Sequence, residues 1–227
     1  MHPHDSMPIR DAAPCPTVCG SAYEMGVQHG QAYKERILAS IAQWVDEGGV
    51  DFLEAGGRVI LLGHEPFDAL DLSFKGMSTG RPYGHRGLLL ADHPVLRDFP
   101  HEGFGDWQFY SMIEGGRAVL FEQDDLPFDP IIEVISAYKR IRKQAGLFEL
   151  RVGAGRLLVC SFKIDPSDAA AAYLVDRMVH YASGEMFEPR SGICPSVLRR
   201  LISETAAAEE LRQTDQAADP NIPQLGQ

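Results

Sequence analysis

Gly146-Leu-Phe-Glu-Leu-Arg-Val-Gly-Ala-Gly-Arg-Leu-Leu-Val-Cys-Ser-Phe162 decides the fold, together with Ala91-Asp-His-Pro-Val-Leu-Arg-Asp-Phe-Pro-His-Glu-Gly-Phe-Gly-Asp-Trp-Gln-Phe-Tyr110. In the first stretch Phe148, Leu150 and Val152 alternate with Glu149 and Arg151, so the spacing predicts a strand with one wet face. Leu157 to Phe162 is apolar on both faces and belongs further inside a sheet. Gly153-Ala154-Gly155 joins the two arms into a hairpin. A dinucleotide fingerprint would need a helix N-terminus after this Gly-x-Gly to hold a pyrophosphate, and a strand follows it instead. Across the second stretch and its flanks, Leu88 to Asp92 reads as a short strand and Asp106 to Ile113 as a short helix, with Trp107, Tyr110 and Met112 or Ile113 facing inward. His93 stands between Asp92 and Pro94, just past the strand end, where open α/β sheets carry their ligand crevice.

Outward from these stretches, Arg58-Val-Ile-Leu-Leu62 is a short apolar run behind a glycine break, the pattern of a buried parallel strand. Ala118 to Phe121 and Ile131 to Ile135 are further strand candidates, with Pro127 and Pro130 in the loop between them. Residues 64–87, rich in glycine and proline, read as a long irregular connection. Asp165-Pro-Ser-Asp168 predicts a helix start, with the first Asp as N-cap and Pro at the first position. Ala171, Leu174, Val175, Met178 and Ala182 form the buried stripe of that helix, and Gly184 ends it. At the N-terminal side, Ile37, Leu38, Ile41, Trp44 and Val45 recur at helical spacing. The expected organisation is a flexible lead-in over 1–19, a turn and amphipathic helix over 20–48, and an α/β domain over 50–190. A C-terminal helix over 195–212 and a disordered polar tail over 213–227 complete it.

The two opening stretches resemble the amidotransferase-like domain that follows the catalytic domains of many bacterial β-galactosidase-type glycoside hydrolases. In that family an HPxLxxFP…DWQ segment opens a helix after a strand and an LFExxVGxGxLLVCS hairpin comes later. Here they read His93 to Pro100 with Asp106 to Gln108, and Leu147 to Ser161, in the same order. The resemblance implies an α/β fold of the class I glutamine amidotransferase-like (flavodoxin-like) kind, a partly parallel sheet flanked by helices with an antiparallel hairpin. It also implies a non-catalytic accessory role in domain packing, oligomerisation or carbohydrate-enzyme assembly. The residues before Arg58 do not supply the βα units that precede this strand in the family. Either the sheet is truncated at its N-terminal side, or the N-terminal helix covers the face those units would have covered. A shorter stretch, Gly20-Ser-Ala-Tyr-Glu-Met-Gly-Val-Gln-His-Gly30, resembles the opening of the penicillin acyltransferase-like family of N-terminal nucleophile hydrolases. That family's active centre is a Cys released by self-cleavage after a Gly, and no Gly-Cys dipeptide occurs in this chain.

A formal net charge of −11 over 227 residues works against nucleic acid and anionic membrane surfaces as partners. No run approaches the length of a membrane span, and four cysteines without disulfide-framework spacing suit a reducing cytoplasm. An amidotransferase nucleophile needs a Gly-x-Cys-x-Gly elbow, because only small neighbours allow the strained turn. None of Cys15, Cys19, Cys160 and Cys194 has such neighbours, and Cys160 reads as a packed core thiol. The expectation is therefore no catalytic residue, no metal site and no cofactor. The candidate ligand contacts are His93, His101, Asp106 and Trp107, with carbohydrate, a neighbouring hydrolase domain or a second copy of the chain as partners. An acyltransferase-like hydrolase, or a gene fragment without independent activity, is the alternative.

Overall fold

In the computed structural model of the chain, the described residues are 17–19, 48–72, 87–122, 126–135 and 142–205. The amphipathic helix read at 31–47, the Gly20 to Gly30 turn and the tail after 205 lie outside them. Among the described residues the strands are β1 (Thr17–Cys19), β2 (Arg58–Leu62), β3 (Ala69–Asp71), β4 (Gly87–Leu90), β5 (Arg117–Leu120), β6 (Pro130–Ile135), β7 (Gln144–Val152), β8 (Gly155–Cys160) and β9 (Gly192–Ile193). The α-helices are α1 (Gly49–Glu54), α2 (Tyr110–Ile113), α3 (Ala169–Ser183) and α4 (195–205). Two 3-10 turns, Pro94–Leu96 and Trp107–Phe109, lie between β4 and α2.

All nine strands belong to one mixed sheet. β1, β2 and β8 are neighbours and run parallel. The β7–β8 hairpin then reverses direction, and the rest of the sheet is mostly antiparallel, with β5 and β6 on β7, β3 on β5 and β4 on β6. β7 is the spine of this arrangement. Along one side it pairs with β8 from Leu147 to Val152, and where β8 ends the Arg117 amide takes up the Ser161 carbonyl as β5 begins. At its far end β9 adds a short parallel pair.

Period-two alternation divides the strand residues between two cores, as a sheet with helices on both faces requires. Ile60, Leu62, Leu147, Leu158 and Cys160 pack with Leu174 and Met178 of α3. Val59, Leu61, Phe148, Leu150, Leu157 and Val159 pack on the opposite face with Val50 and Leu53 of α1 and Leu198 and Leu201 of α4. The buried stripe of α3 is Ala171, Leu174, Val175, Met178, Tyr181 and Ala182. Its start differs from expectation: Asp168, not Asp165, is the N-cap, accepting from the Ala170 and Ala171 amides at 2.8 and 3.0 Å. Asp165 instead closes a turn onto Ser167. At the other end Arg58 of β2 donates to the Ala182 and Gly184 carbonyls at 3.0 and 2.7 Å, satisfying acceptors that a helix C-terminus leaves open.

Three further sequence expectations need correction. Residues 17–19, read within the lead-in, form a strand on β2, and residues 69–71 form a strand inside what read as an irregular connection. The first hairpin arm has no continuous wet face, since only Arg151 is exposed along β7 and Glu149 is buried beneath α3. The Gly-x-Gly turn is also explained by packing. A side chain on Gly155 would overlap the carbonyl oxygens of Leu53 and Gly57, so glycine lets α1 approach the hairpin backbone closely.

Candidate functional site

The chain leaves β4 through Ala91 and Asp92 and enters the Pro94–Leu96 turn, whose N-cap is His93. Its Nδ1 accepts from the Val95 amide at 3.4 Å, so in the neutral ring the hydrogen resides on Nε2. That nitrogen lies 3.6 Å from Oε1 of Glu149, which points up from the middle of the sheet. The other carboxylate oxygen accepts from the Tyr181 hydroxyl at 2.9 Å, and the Tyr181 ring meets the His93 ring edge-on at 5.2 Å. Burial, and then the Glu149 carboxylate, raise the Tyr181 phenol well above its ordinary range, while a hydrogen bond with the Glu188 backbone opposes them. The phenol therefore keeps its proton and donates a hydrogen bond to the Glu149 side chain, a buried polar group that needs a partner.

The constellation has the acid and imidazole of a catalytic dyad, and among the described residues neither Cys160 nor Cys194 is placed as its third member. In a nucleophilic triad one ring nitrogen faces the acid and the other takes the nucleophile's proton. Here the second nitrogen of His93 is occupied by a backbone amide. The thiol of Cys160 is fully buried, and that burial pushes it up to about 12, opposed by a backbone hydrogen bond to Phe162. Cys194 is exposed between β9 and α4, flanked by Ile193 and Pro195 instead of glycines. Its neighbours Ile193 and Leu198 pack on the α4 face, whereas His93 meets Tyr181 on the α3 face.

The rest of the segment is fastened to α3. The Tyr173 hydroxyl donates to the Asp98 carbonyl at 3.1 Å, Arg177 pairs with the Asp98 carboxylate at 3.1 Å, and Ser111 donates to the Asp168 cap. Tyr173, Arg177 and Tyr181 are four residues apart and form one stripe of the helix. His101 accepts from the Gly103 amide through Nδ1 at 3.1 Å, and Gly103 holds a φ of +86°. Asp106 caps the second turn by accepting from the Trp107 amide at 2.7 Å, and Gln108 donates to the Pro100 carbonyl at 2.7 Å.

The structure therefore brings His93 to a buried acid and a phenol, and gives His101 and Asp106 backbone-capping work at the surface. Trp107 does not face inward as its spacing suggested: it is 82% exposed, and Tyr110 beside it is 46% exposed. The 3-10 turn changes the helical phase, so Phe109, Met112 and Ile113 form the inward stripe. Glu149 and Tyr181 escaped the sequence reading. Tyr181 could have been found at three residues from Met178 and seven from Leu174, but Glu149 sits where alternation alone predicts a solvated side chain.

A second polar group lies past the end of β2. Arg117 reaches His64 Nε2 at 3.2 Å and Asp71 at 3.2 Å, and because a guanidinium only donates, the imidazole nitrogen facing it must accept. Among the described residues no cluster of three or more His, Cys, Asp or Glu has metal-binding geometry, and no helix is long and apolar enough to cross a membrane.

A search of curated proteins returns no match. The family model of DUF8487, a domain of unknown function, matches residues 40–203, more than half of the chain, and the protein therefore belongs to that family.

Proposed function

We propose that this protein is a non-catalytic amidotransferase-like domain of flavodoxin-like ancestry, related to the accessory domains of β-galactosidase-type hydrolases. Its role is in domain packing, oligomerisation or carbohydrate-enzyme assembly in the cytoplasm. The parallel run β1-β2-β8 with α3 on one face and α1 and α4 on the other supports that ancestry, and the antiparallel half departs from it. The observation that carries the functional reading is the state of the His93–Glu149 pair. The Nδ1 of His93 accepts from the Val95 amide, its Nε2 faces Glu149 at 3.6 Å, and the Cys160 thiol is sealed in the core. A fold that keeps the framework of a thiol enzyme while spending its imidazole on a backbone cap has turned that framework to structural use.

Turnover and size of the purified full chain test this together. With chromogenic galactosides and acyl amides the expected result is no hydrolysis above buffer, and sizing with light scattering should give a dimer or trimer. Hydrolysis that disappears on Cys194→Ala or Glu149→Gln replacement, in a protein that remains folded, would overturn the reading.

A further inference from the structure

We propose that Trp107 and Tyr110 form a binding platform for a neutral oligosaccharide. The idea goes one step beyond the accessory role, gives it a ligand, and rests on it only for its biological setting. Within the segment from His93 to Ser111, polar side chains serve local structure: His93, His101 and Asp106 cap, Gln108 ties the segment to itself, and Ser111 ties it to α3. Phe99 and Phe109 are core. Three large side chains of the segment are left outside, Phe104 at 50%, Tyr110 at 46% and, most exposed, Trp107 at 82%, on a short turn that Asp106 and Gln108 hold in place. The Trp107 ring pairs with that of Tyr110 at 6.3 Å and a tilt of 43°, which makes a shallow two-sided step.

Two observations favour a sugar over a macromolecule. The first is area: an aromatic side chain buries about 150–250 Å² when fully covered, so the partly exposed rings of Phe104, Trp107 and Tyr110 together fall short of the roughly 800 Å² per partner of a stable protein interface. They are enough to stack the apolar faces of one or two sugar rings. The second is charge. The Asp106 carboxylate adjoins Trp107 and is exposed, and the chain carries −11 overall. Sugar hydroxyls donate to such a carboxylate, whereas phosphate, sulfate or uronate groups would be repelled.

Affinity electrophoresis of the full chain in native gels tests the platform, with β-1,4-galactan, galactomannan and hydroxyethylcellulose as probes over a concentration series. The wild type is expected to be retarded by at least one of them. Trp107→Ala should weaken that retention by about tenfold or more, the scale of one stacking contact, and Tyr110→Ala should weaken it partially. Circular dichroism and oligomeric state should be unchanged in both variants. Absence of retardation with all three polysaccharides would overturn the proposal, as would full retardation of Trp107→Ala. Dissociation of an oligomer by Trp107→Ala would also overturn it, by assigning the ring to a protein contact. None of these outcomes reads turnover, so they are distinguishable from failure of the non-catalytic reading, which is tested by turnover.

Discussion

Glu149 is a carboxylate in the interior strand of a sheet that carries helices on both faces, and it is tolerated there because Tyr181 and His93 face its two oxygens. Removing one partner should cost more than removing both. Tyr181→Phe withdraws a donor from a buried polar group and is expected to lower the unfolding free energy by about 1–3 kcal/mol. The double variant Glu149→Leu with Tyr181→Phe should recover part of that loss, and urea unfolding of the four members of the cycle would measure the coupling. Asp168 gives a prediction with a defined direction in pH. The Ser111 hydroxyl, followed by the Ala171 amide, holds its carboxyl below the usual range. Its contribution is therefore present above the unfolded value of about 3.9 and is lost as pH falls through the lower folded value. Asp168→Ala should cost about 1 kcal/mol at neutral pH as a lost cap, whereas Asp168→Asn should keep most of the cap and flatten the acid limb. Thermal unfolding at pH 7 and pH 3 separates the two. Cys160 acts on the alkaline side. Because burial raises its thiol from 9.0 to about 12, stability falls as pH climbs across that interval, and Cys160→Ala should remove this part of the alkaline loss.

At the scale of elements, the hairpin and α3 were legible in the sequence because their information is local. The alternation in 148–152, the doubly apolar run from Leu157 and the stripe from Ala171 to Ala182 each specify a face without knowledge of the partner. Three short strands were not legible as strands. β1, β3 and β9 have three, three and two residues, too few for a period, and they exist because β2, β5 and β7 offer open backbone groups to pair with. Trp107 was misread for a related reason: helical spacing extrapolated through a 3-10 turn arrives at the wrong face. The hairpin turn yields the sharpest test at this scale. Gly155→Ala must displace the backbone carbonyls of Leu53 and Gly57, so a loss of about 1–3 kcal/mol is expected in denaturant unfolding. Met178→Ala, by opening a cavity between α3 and the sheet, should cost about 2–5 kcal/mol in the same assay.

Across the whole molecule, the family resemblance implied an α/β fold with helices flanking a sheet, and the two segregated cores on either side of one mixed sheet match that coarse class. The balance of parallel and antiparallel pairing was not legible, since it depends on which distant strands meet β7, and no local pattern encodes that. The candidate site shows the same division. His93 was found from its place after a strand, but its meaning changed once Glu149 and the Val95 amide were seen to face its two ring nitrogens. The proposal that an amidotransferase-like framework persists here without a working thiol is tested most directly by alkylation of the native full chain followed in parallel with glutamine hydrolysis. Treatment with iodoacetamide and peptide mass spectrometry should show Cys160 unmodified until the protein is unfolded, with no glutamine turnover before or after Cys194 is labelled. Glutamine hydrolysis that declines in step with modification of a single cysteine would contradict the account.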